Sequence, residues 1–197
     1  ATLANTIVAR NSATNGPDGN GFLFNSQDYN LIENTNGMTL LGTLTHVIIG
    51  QDPLLGPLQN NGGPSPTMAL LPNSPAIDQG RSFGLIADQR GFARPYNLPS
   101  IANAAEGDGS DIGAYELIPT PQLNIQRAPD NNVVLFWSTD AADFRLESVT
   151  NLPSAMNNWQ EVTNARTYTA NLAFVTNTAS GTQKYYRLNL PAMSMTP

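Results

Sequence analysis

The sequence predicts an all-β protein of two domains, and three observations carry this prediction. The first half consists of short apolar runs separated by Asn-Gly, Asp-Gly and Gly-Gly dipeptides, with no 3.6-residue periodicity. The second half alternates apolar and polar residues, as antiparallel strands do. All glycines but Gly181 lie at or before Gly113, whereas both tryptophans follow it. We therefore place the domains at residues 1–118 and 119–197, with a stiff Pro-Thr-Pro linker at residues 119–121.

In the first domain the apolar runs predict short strands over residues 3–8, 22–24, 29–32, 38–44 and 46–49. The turns between them are rich in asparagine, a residue that tolerates left-handed backbone and bonds locally. Short strands joined by such turns suit a parallel β-helix, a solenoid whose rungs stack on each other. The repeat is too irregular to establish that architecture from the pattern alone.

In the second domain the alternating runs predict strands over residues 132–138, 144–149, 159–162, 168–175 and 184–190. Several strands in under eighty residues, with turn signals between them, indicate an antiparallel β-sandwich. Its strand pattern places Trp137 in the core between the sheets.

Composition excludes several classes of function. The net charge is −6 and Lys184 is the only lysine, so the basic stripe that nucleic-acid binding requires is missing. No apolar run reaches the roughly 18 residues of a membrane span. The absence of cysteine excludes disulfides, thiolate metal sites and cysteine nucleophiles.

Only 12 % of residues are charged, which is typical of exported β-rich proteins and favours an extracellular or cell-surface location. The first residues lack a basic n-region, so we expect a trimmed or processed fragment rather than a signal peptide.

Four ordered motifs in residues 1–118 resemble the bacterial choice-of-anchor Q proteins. They are DPLLGPLQNNGGP at 52–64, ALLPNSPAIDQG at 69–80, DQRGFARP at 88–95 and DIGAYEL at 111–117. The resemblance implies the C-terminal rungs and cap of a right-handed parallel β-helix on an exported protein. Residues 119–197 resemble a small fibronectin-III-like sandwich, through VVLFWS at 133–138, FRLESVTNL at 144–152 and YYRL at 185–188.

Candidate catalytic groups are few. His46 is the only histidine and has no partner nearby in the sequence, so we interpret it as structural or solvent-facing. Paired carboxylates are the chemistry of glycosidases. The available ones are Asp78, Asp88, Asp108, Asp111 and Glu116, whose separations the sequence does not give. Asp88 lies close to Arg90 and Arg94, and we expect these three to form a structural ion pair that pins a loop. We therefore expect no catalytic residue and no enzyme activity for this chain, without excluding a carbohydrate-active parent.

Two binding sites are possible. Residues 106–111, EGDGSD, place Glu106, Asp108 and Asp111 in a glycine-rich loop, a composition that calcium favours, although plain turns share it. Trp159 and Tyr185 are candidate contacts for stacking on a glycan. No cofactor is required by the sequence, and calcium is a possible ligand.

The function that these observations favour is a non-catalytic structural or adhesive module, secreted or on the cell surface, whose partners are other copies of itself or other surface proteins. An open β-helix end has unpaired backbone groups, which favours a role as a subunit of an extracellular assembly or fibre. The first alternative is a glycan-binding or polysaccharide-cleaving β-helix protein whose active rungs precede this segment. The second alternative is a calcium-dependent surface-layer component.

Overall fold

A computed structural model describes residues 1–21, 23–152, 158–181 and 183–191. The chain divides into two compact units, Ala1–Ile118 and Pro119–Pro197. All regular elements among the described residues are β-strands apart from one short 3₁₀ turn at Thr139–Ala141, so the all-β prediction is confirmed. Phe22, part of an expected strand, lies outside the described residues. No helix in those ranges is long and apolar enough to cross a membrane.

Unit 1 begins with six short strands that form two parallel three-stranded sheets, ordered β1-β3-β5 and β2-β4-β6. The chain visits the sheets alternately, so the strands form three tiers. The first tier is β1 (Thr2–Leu3) and β2 (Ile7–Val8), the second is β3 (Leu23–Gln27) and β4 (Leu31–Ile32), and the third is β5 (Thr39–Thr43) and β6 (Ile48–Ile49). In the second sheet, Ile7, Leu31 and Ile48 lie in register.

The second tier carries the core of this part of unit 1. Leu31 and Ile32 have no exposed surface, and their strand pairs with a parallel strand on each of its two edges. Ile49, on the third tier, is exposed instead. Burial in unit 1 therefore decreases from the middle of the ladder towards its third tier.

The rest of unit 1 is an antiparallel hairpin followed by long loops. The hairpin strands are β7 (Leu55–Gln59) and β8 (Thr67–Leu70), and a bulge interrupts their pairing between Leu55 and Leu58. Residues 71–118 contain no named strand, and only an isolated bridge joins Ala87 to Ala93. We call residues 74–118 the cap. Such a loop-rich region needs partners for its backbone groups other than strand ladders.

Unit 2 is built from two antiparallel sheets. The four-stranded sheet has the order β13-β14-β10-β9 and the three-stranded sheet the order β12-β11-β15. Their bounds are β9 Asn124–Ala128, β10 Asn132–Ser138, β11 Arg145–Val149, β12 Gln160–Glu161, β13 Arg166–Tyr168, β14 Leu172–Thr178 and β15 Tyr185–Asn189. Each sheet buries one face, with Trp137 and Val175 on one and Leu146 on the other. The expected core position of Trp137 is confirmed, and its indole N–H donates to Ala141 O at 3.1 Å.

Two of the expected strands are each divided by a turn. Residues 3–8 form two strands rather than one, because Asn5 adopts a left-handed φ of 47° and turns the chain from the first sheet into the second. Residues 168–175 likewise contain the end of β13 and the start of β14, joined by a turn in which the Thr169 N–H donates to Leu172 O. In both places an apolar run continues through a turn, so hydrophobicity alone does not reveal the break.

Candidate functional site

A buried ionic network lies in the cap, and Arg90 is at its centre. Its guanidinium lies 2.7 Å from the Asp88 carboxylate and donates to Glu116 O at 2.6 Å. Two rings flank it, with the guanidinium carbon 3.6 Å from the Tyr115 centroid and 4.5 Å from the Phe92 centroid. The planar guanidinium can satisfy hydrogen bonds and ring contacts together, which an ammonium group cannot do in the same geometry. Arg90 therefore joins two stretches of the cap, residues 88–92 and residues 115–116.

The Asp88 carboxylate has a second role as an acceptor for backbone N–H groups. It accepts from the amides of Arg90 at 2.8 Å, Phe92 at 3.1 Å and Glu116 at 3.1 Å. A single carboxylate thus replaces the strand partners that this loop lacks.

Arg94 has a different partner from the one expected. We expected Asp88, Arg90 and Arg94 to form one ion pair, but the Arg94 Nε lies 3.1 Å from Glu116 Oε2. Its other nitrogens donate to Gly113 O at 2.8 Å and to Asp111 O. The physical reason is that residues 111–117 pack beside residues 88–95, which brings a second carboxylate to the second arginine. Sequence proximity suggested one pair, whereas the fold builds two.

Burial changes the acidity of two carboxyl groups in this network. It raises the pKa of Asp111 to about 6, despite hydrogen bonds from the amides of Asp78 at 2.8 Å and Leu117 at 2.5 Å. Burial and the neighbouring Asp111 charge raise the pKa of Glu116 to about 8. Arg94 lowers the pKa of Glu116 only in part, because two carboxylates lie close to the single positive charge of Arg94. The carboxyl groups of Asp111 and Glu116 accept hydrogen bonds from backbone amides of the cap, and these bonds hold the loops of the cap in place.

The expected calcium ligands do not converge. Asp108 accepts from the Ser82 hydroxyl at 2.6 Å and from its amide at 2.9 Å. Partial burial raises the pKa of Asp108, but the bonds from Ser82 outweigh it and hold the pKa below its ordinary value. Asp111 is buried in the network, and Glu106 is exposed. Among the described residues no group of three or more His, Asp or Glu side chains is arranged to hold a metal. Calcium binding stays a prediction, and residues 106–111 would have to rearrange before Glu106, Asp108 and Asp111 could bind one ion.

His46 has a partner that sequence reasoning missed. Its Nδ1 lies 2.8 Å from Asp28 Oδ2, and its backbone N–H donates to Asp28 Oδ1 at 2.7 Å. The imidazole also stacks on the Tyr29 ring at 4.7 Å between centroids. Asp28 and Tyr29 both have positive φ, at 79° and 53°, so a strained corner positions this group. Asp28 precedes His46 by 18 residues, close to the 17 that separate Leu31 from Ile48, but this relation becomes visible only once the strand register is known.

The glycan candidates lie on the three-stranded sheet of unit 2. Val149 pairs with Tyr185, and continuing the pairing of Ser148 with Gln160 brings Trp159 to the other side of Val149. The two aromatic residues therefore flank one position of β11 on the same face. The Arg187 guanidinium carbon lies 4.4 Å from the Trp159 ring centroid, and Arg187 also binds Glu147 at 2.7 Å. This face is polar and half-exposed, with a charged group already stacked on its tryptophan.

Unit 1 contains an apolar cleft of about 840 Å³. Its lining comes from the first tier, the β7–β8 hairpin and the cap, and includes Ile7, Leu58, Met68, Phe83, Leu85 and Ile112. Asp88 and Arg94 also reach it, but both are held by the ionic network described above. A cleft with these walls can bury apolar groups and offers little to a charged ligand.

Comparisons with known proteins find no matching family model, no matching curated protein and no matching solved structure. The resemblance to choice-of-anchor Q proteins therefore stays a prediction.

Proposed function

We propose that this chain is a non-catalytic structural or adhesive module of a secreted or cell-surface protein, with tiers that are the last rungs of a parallel β-helix. One observation carries the proposal. The third tier of the parallel ladder, β5 and β6, pairs on one edge only among the residues that the structure describes, and no further parallel strand follows it there. An unprotected strand edge is a site where another strand can add.

The chemistry of these edges supports association. Proteins that avoid edge pairing place charged residues or proline on their edge strands. Here residues 1–9 and 37–51 contain no Asp, Glu, Lys, Arg or Pro, although the chain as a whole has a net charge of −6. Another copy or another surface protein therefore meets little electrostatic repulsion at these strands.

Unit 2 is consistent with a sandwich of the immunoglobulin or fibronectin III type. Four strands in one sheet and three in the other, with the first two strands adjacent, is an arrangement that such sandwiches use. We infer that this unit acts as a spacer or adhesive domain.

Two measurements test the proposed function. Sedimentation velocity over a range of concentrations, with negative-stain imaging, is expected to show assemblies that grow with concentration. Protease treatment of intact source cells is expected to release fragments of the chain, because a surface protein is accessible from outside. A chain that stays monomeric at high concentration and is protected in intact cells would contradict the proposal.

Glycan binding by unit 2 is a second candidate, favoured by the aromatic pair Trp159 and Tyr185 on one sheet face. Stacking of sugar rings on the half-exposed Trp159 and on Tyr185 would supply the affinity, and at Trp159 the sugar would have to displace the Arg187 guanidinium. Trp159→Ala is expected to abolish any signal on a glycan array, whereas the matched variant Tyr168→Ala, which removes an exposed aromatic from the other sheet, keeps it. An array without any signal for the native chain contradicts this candidate.

A further inference from the structure

Four asparagines in unit 1 are followed directly by glycine, and the structure gives these four pairs different environments. The pairs are Asn15–Gly16, Asn20–Gly21, Asn36–Gly37 and Asn61–Gly62. In such a pair the glycine nitrogen can attack the preceding side-chain amide with little hindrance, because glycine has no Cβ. Which pairs react in the folded chain depends on what holds the asparagine side chain and the glycine N–H.

Asn61–Gly62, in the β7–β8 hairpin, is held at both reacting groups. The Asn61 side chain donates to Thr67 O at 2.8 Å and accepts from the Gln59 side chain at 3.1 Å. The Gly62 N–H donates to Asn60 Oδ1 at 3.0 Å. All of these bonds must break before the reaction, because the glycine nitrogen has to lose its proton and the side chain has to turn towards it.

Asn20–Gly21 is held at the glycine. The Gly21 N–H donates to Gly37 O at 2.8 Å, so the nitrogen that would attack the Asn20 side chain already has an acceptor. A hydrogen-bonded amide loses its proton only when the local structure opens. This pair is therefore protected in the folded chain, as Asn61–Gly62 is.

The other two pairs are free at both reacting groups. In the part of the chain that the structure describes, the side chains of Asn15 and Asn36 have no hydrogen-bond partner, and the N–H groups of Gly16 and Gly37 have no acceptor. Both asparagines are exposed to solvent. Nothing in their surroundings has to break before the glycine nitrogen approaches the side chain.

The two free pairs meet at one corner of the ladder. A Cβ built on Gly16 would lie 2.8 Å from Asn36 O, and one built on Gly37 would lie 3.3 Å from Gly16 Cα. Both glycines also have positive φ, 56° and 75°. Close packing and backbone conformation thus both require glycine at these positions, and glycine is the residue that makes the preceding asparagine reactive.

We propose that Asn15 and Asn36 are sites of spontaneous modification in the folded chain, each converting to aspartate or isoaspartate, while Asn20 and Asn61 are protected. The nitrogen of the following glycine forms a bond to the asparagine Cγ. The bond from Cγ to Nδ2 breaks, and ammonia leaves with the proton that the glycine nitrogen gives up. Water then opens the cyclic succinimide at either carbonyl, so water is the only co-reactant.

The modification changes the corner in two ways. Each conversion adds one negative charge to a chain whose net charge is −6. Isoaspartate also carries the backbone through the side chain and lengthens it by a carbon atom. At Asn36 this displaces Gly37, whose carbonyl oxygen accepts the Gly21 N–H. The inference does not depend on the proposed function, because it concerns chemistry within one chain.

The test follows the four pairs separately in the whole chain. Samples are incubated folded and in urea, both in mildly alkaline buffer. Digestion before aspartate places the pairs in fragments 1–17, 18–27, 28–51 and 52–77, in which tandem mass spectrometry measures the conversion. In the folded chain Asn15 and Asn36 are expected to convert at least about tenfold faster than Asn20 and Asn61, because misplaced reacting groups slow an intramolecular reaction steeply. In urea the four rates are expected to converge.

Asn60→Ala tests the protection directly. This variant removes the acceptor of the Gly62 N–H at an exposed position. The rate at Asn61 is expected to rise at least about twofold, as the loss of one hydrogen bond implies. The rates at Asn15 and Asn36 in the same molecule are expected to stay unchanged, and they serve as the internal control.

Three results would overturn the proposal. The first is a folded chain in which all four asparagines convert at the same rate. The second is a rate at Asn36 as low as the rate at Asn61, because the exposed turn would then protect its side chain as well as the hairpin does. The third is an unchanged rate at Asn61 in Asn60→Ala, since the hydrogen bond to Gly62 would then give no protection.

Discussion

Glu116→Gln tests whether the buried network in the cap sets the pH dependence of unit 1. Glutamine has the shape of the protonated carboxyl group and cannot ionise. In the native chain Glu116 has no exposed surface, and its pKa is raised to about 8 from an ordinary value of 4.5. A carboxyl group whose pKa is raised by folding contributes stability that is fully present below its unfolded value and is lost as pH rises through the folded value. The window for Glu116 therefore extends from about pH 4.5 to about pH 8.

The expected magnitude follows from that window. Each unit of pKa difference corresponds to about 1.4 kcal/mol, so the free energy of unfolding of the native chain should fall by several kcal/mol from pH 5 to pH 9. Asp111, whose pKa is raised to about 6, adds to the fall at the acidic side of this range. Glu116→Gln should match the native chain near pH 5 and exceed it in stability at pH 9.

The assay must follow unit 1 separately. Both tryptophans lie in unit 2, so tryptophan fluorescence reports on that unit and serves as an internal control. Hydrogen exchange of the Tyr96 and Leu117 amides reports on the network, because they donate to Glu116 and Asp111 respectively. Glu106→Gln, at an exposed position of the same unit, is the matched variant and should keep the native pH dependence. Parallel pH profiles for the native chain and Glu116→Gln would refute the reasoning.

Three further predictions concern the core, the cap and the calcium loop. Leu31→Ala should lower the free energy of unfolding by about 2–5 kcal/mol, because it empties a fully buried site in the middle tier. The measurement is urea denaturation followed by circular dichroism. A loss below about 0.5 kcal/mol, as expected for a surface site, would contradict the described core. Arg90→Lys should cost about 2–4 kcal/mol in the same assay, because an ammonium group cannot keep the contacts to Asp88 and Tyr115 together; an unchanged melting temperature would show that Arg90 does not hold the cap. If the calcium prediction is correct, calcium should raise the melting temperature of the native chain and not that of Asp108→Asn, and a chelator should reverse the effect; equal melting temperatures in calcium and chelator would reject it.

Much of the strand content of both units was accessible from the sequence, because it depends on local patterns, but β7, β8 and β9 were not predicted. Alternation over residues 132–138 predicted β10 and the burial of Trp137, since side chains on a strand point to opposite faces in turn. The short apolar runs between asparagine-rich turns predicted strands in unit 1 for the same local reason. The limits of these predictions lie at corners such as Asn5, where one left-handed residue divides a continuous apolar run.

The pairings between distant residues were decided by the tertiary structure alone. Asp88 and Arg90, two residues apart, could be paired from the sequence, because short spacing limits where the side chains can lie. Arg94 with Glu116, Asp28 with His46 and the cleft beside the first tier each join segments that only the folded chain brings together. The sequence by itself determined which segments extend and which side chains prefer burial, since both depend on neighbouring residues. Which carboxylate meets which arginine, and which strand edges remain free, depends on the path of the whole chain, and no local pattern encodes that path.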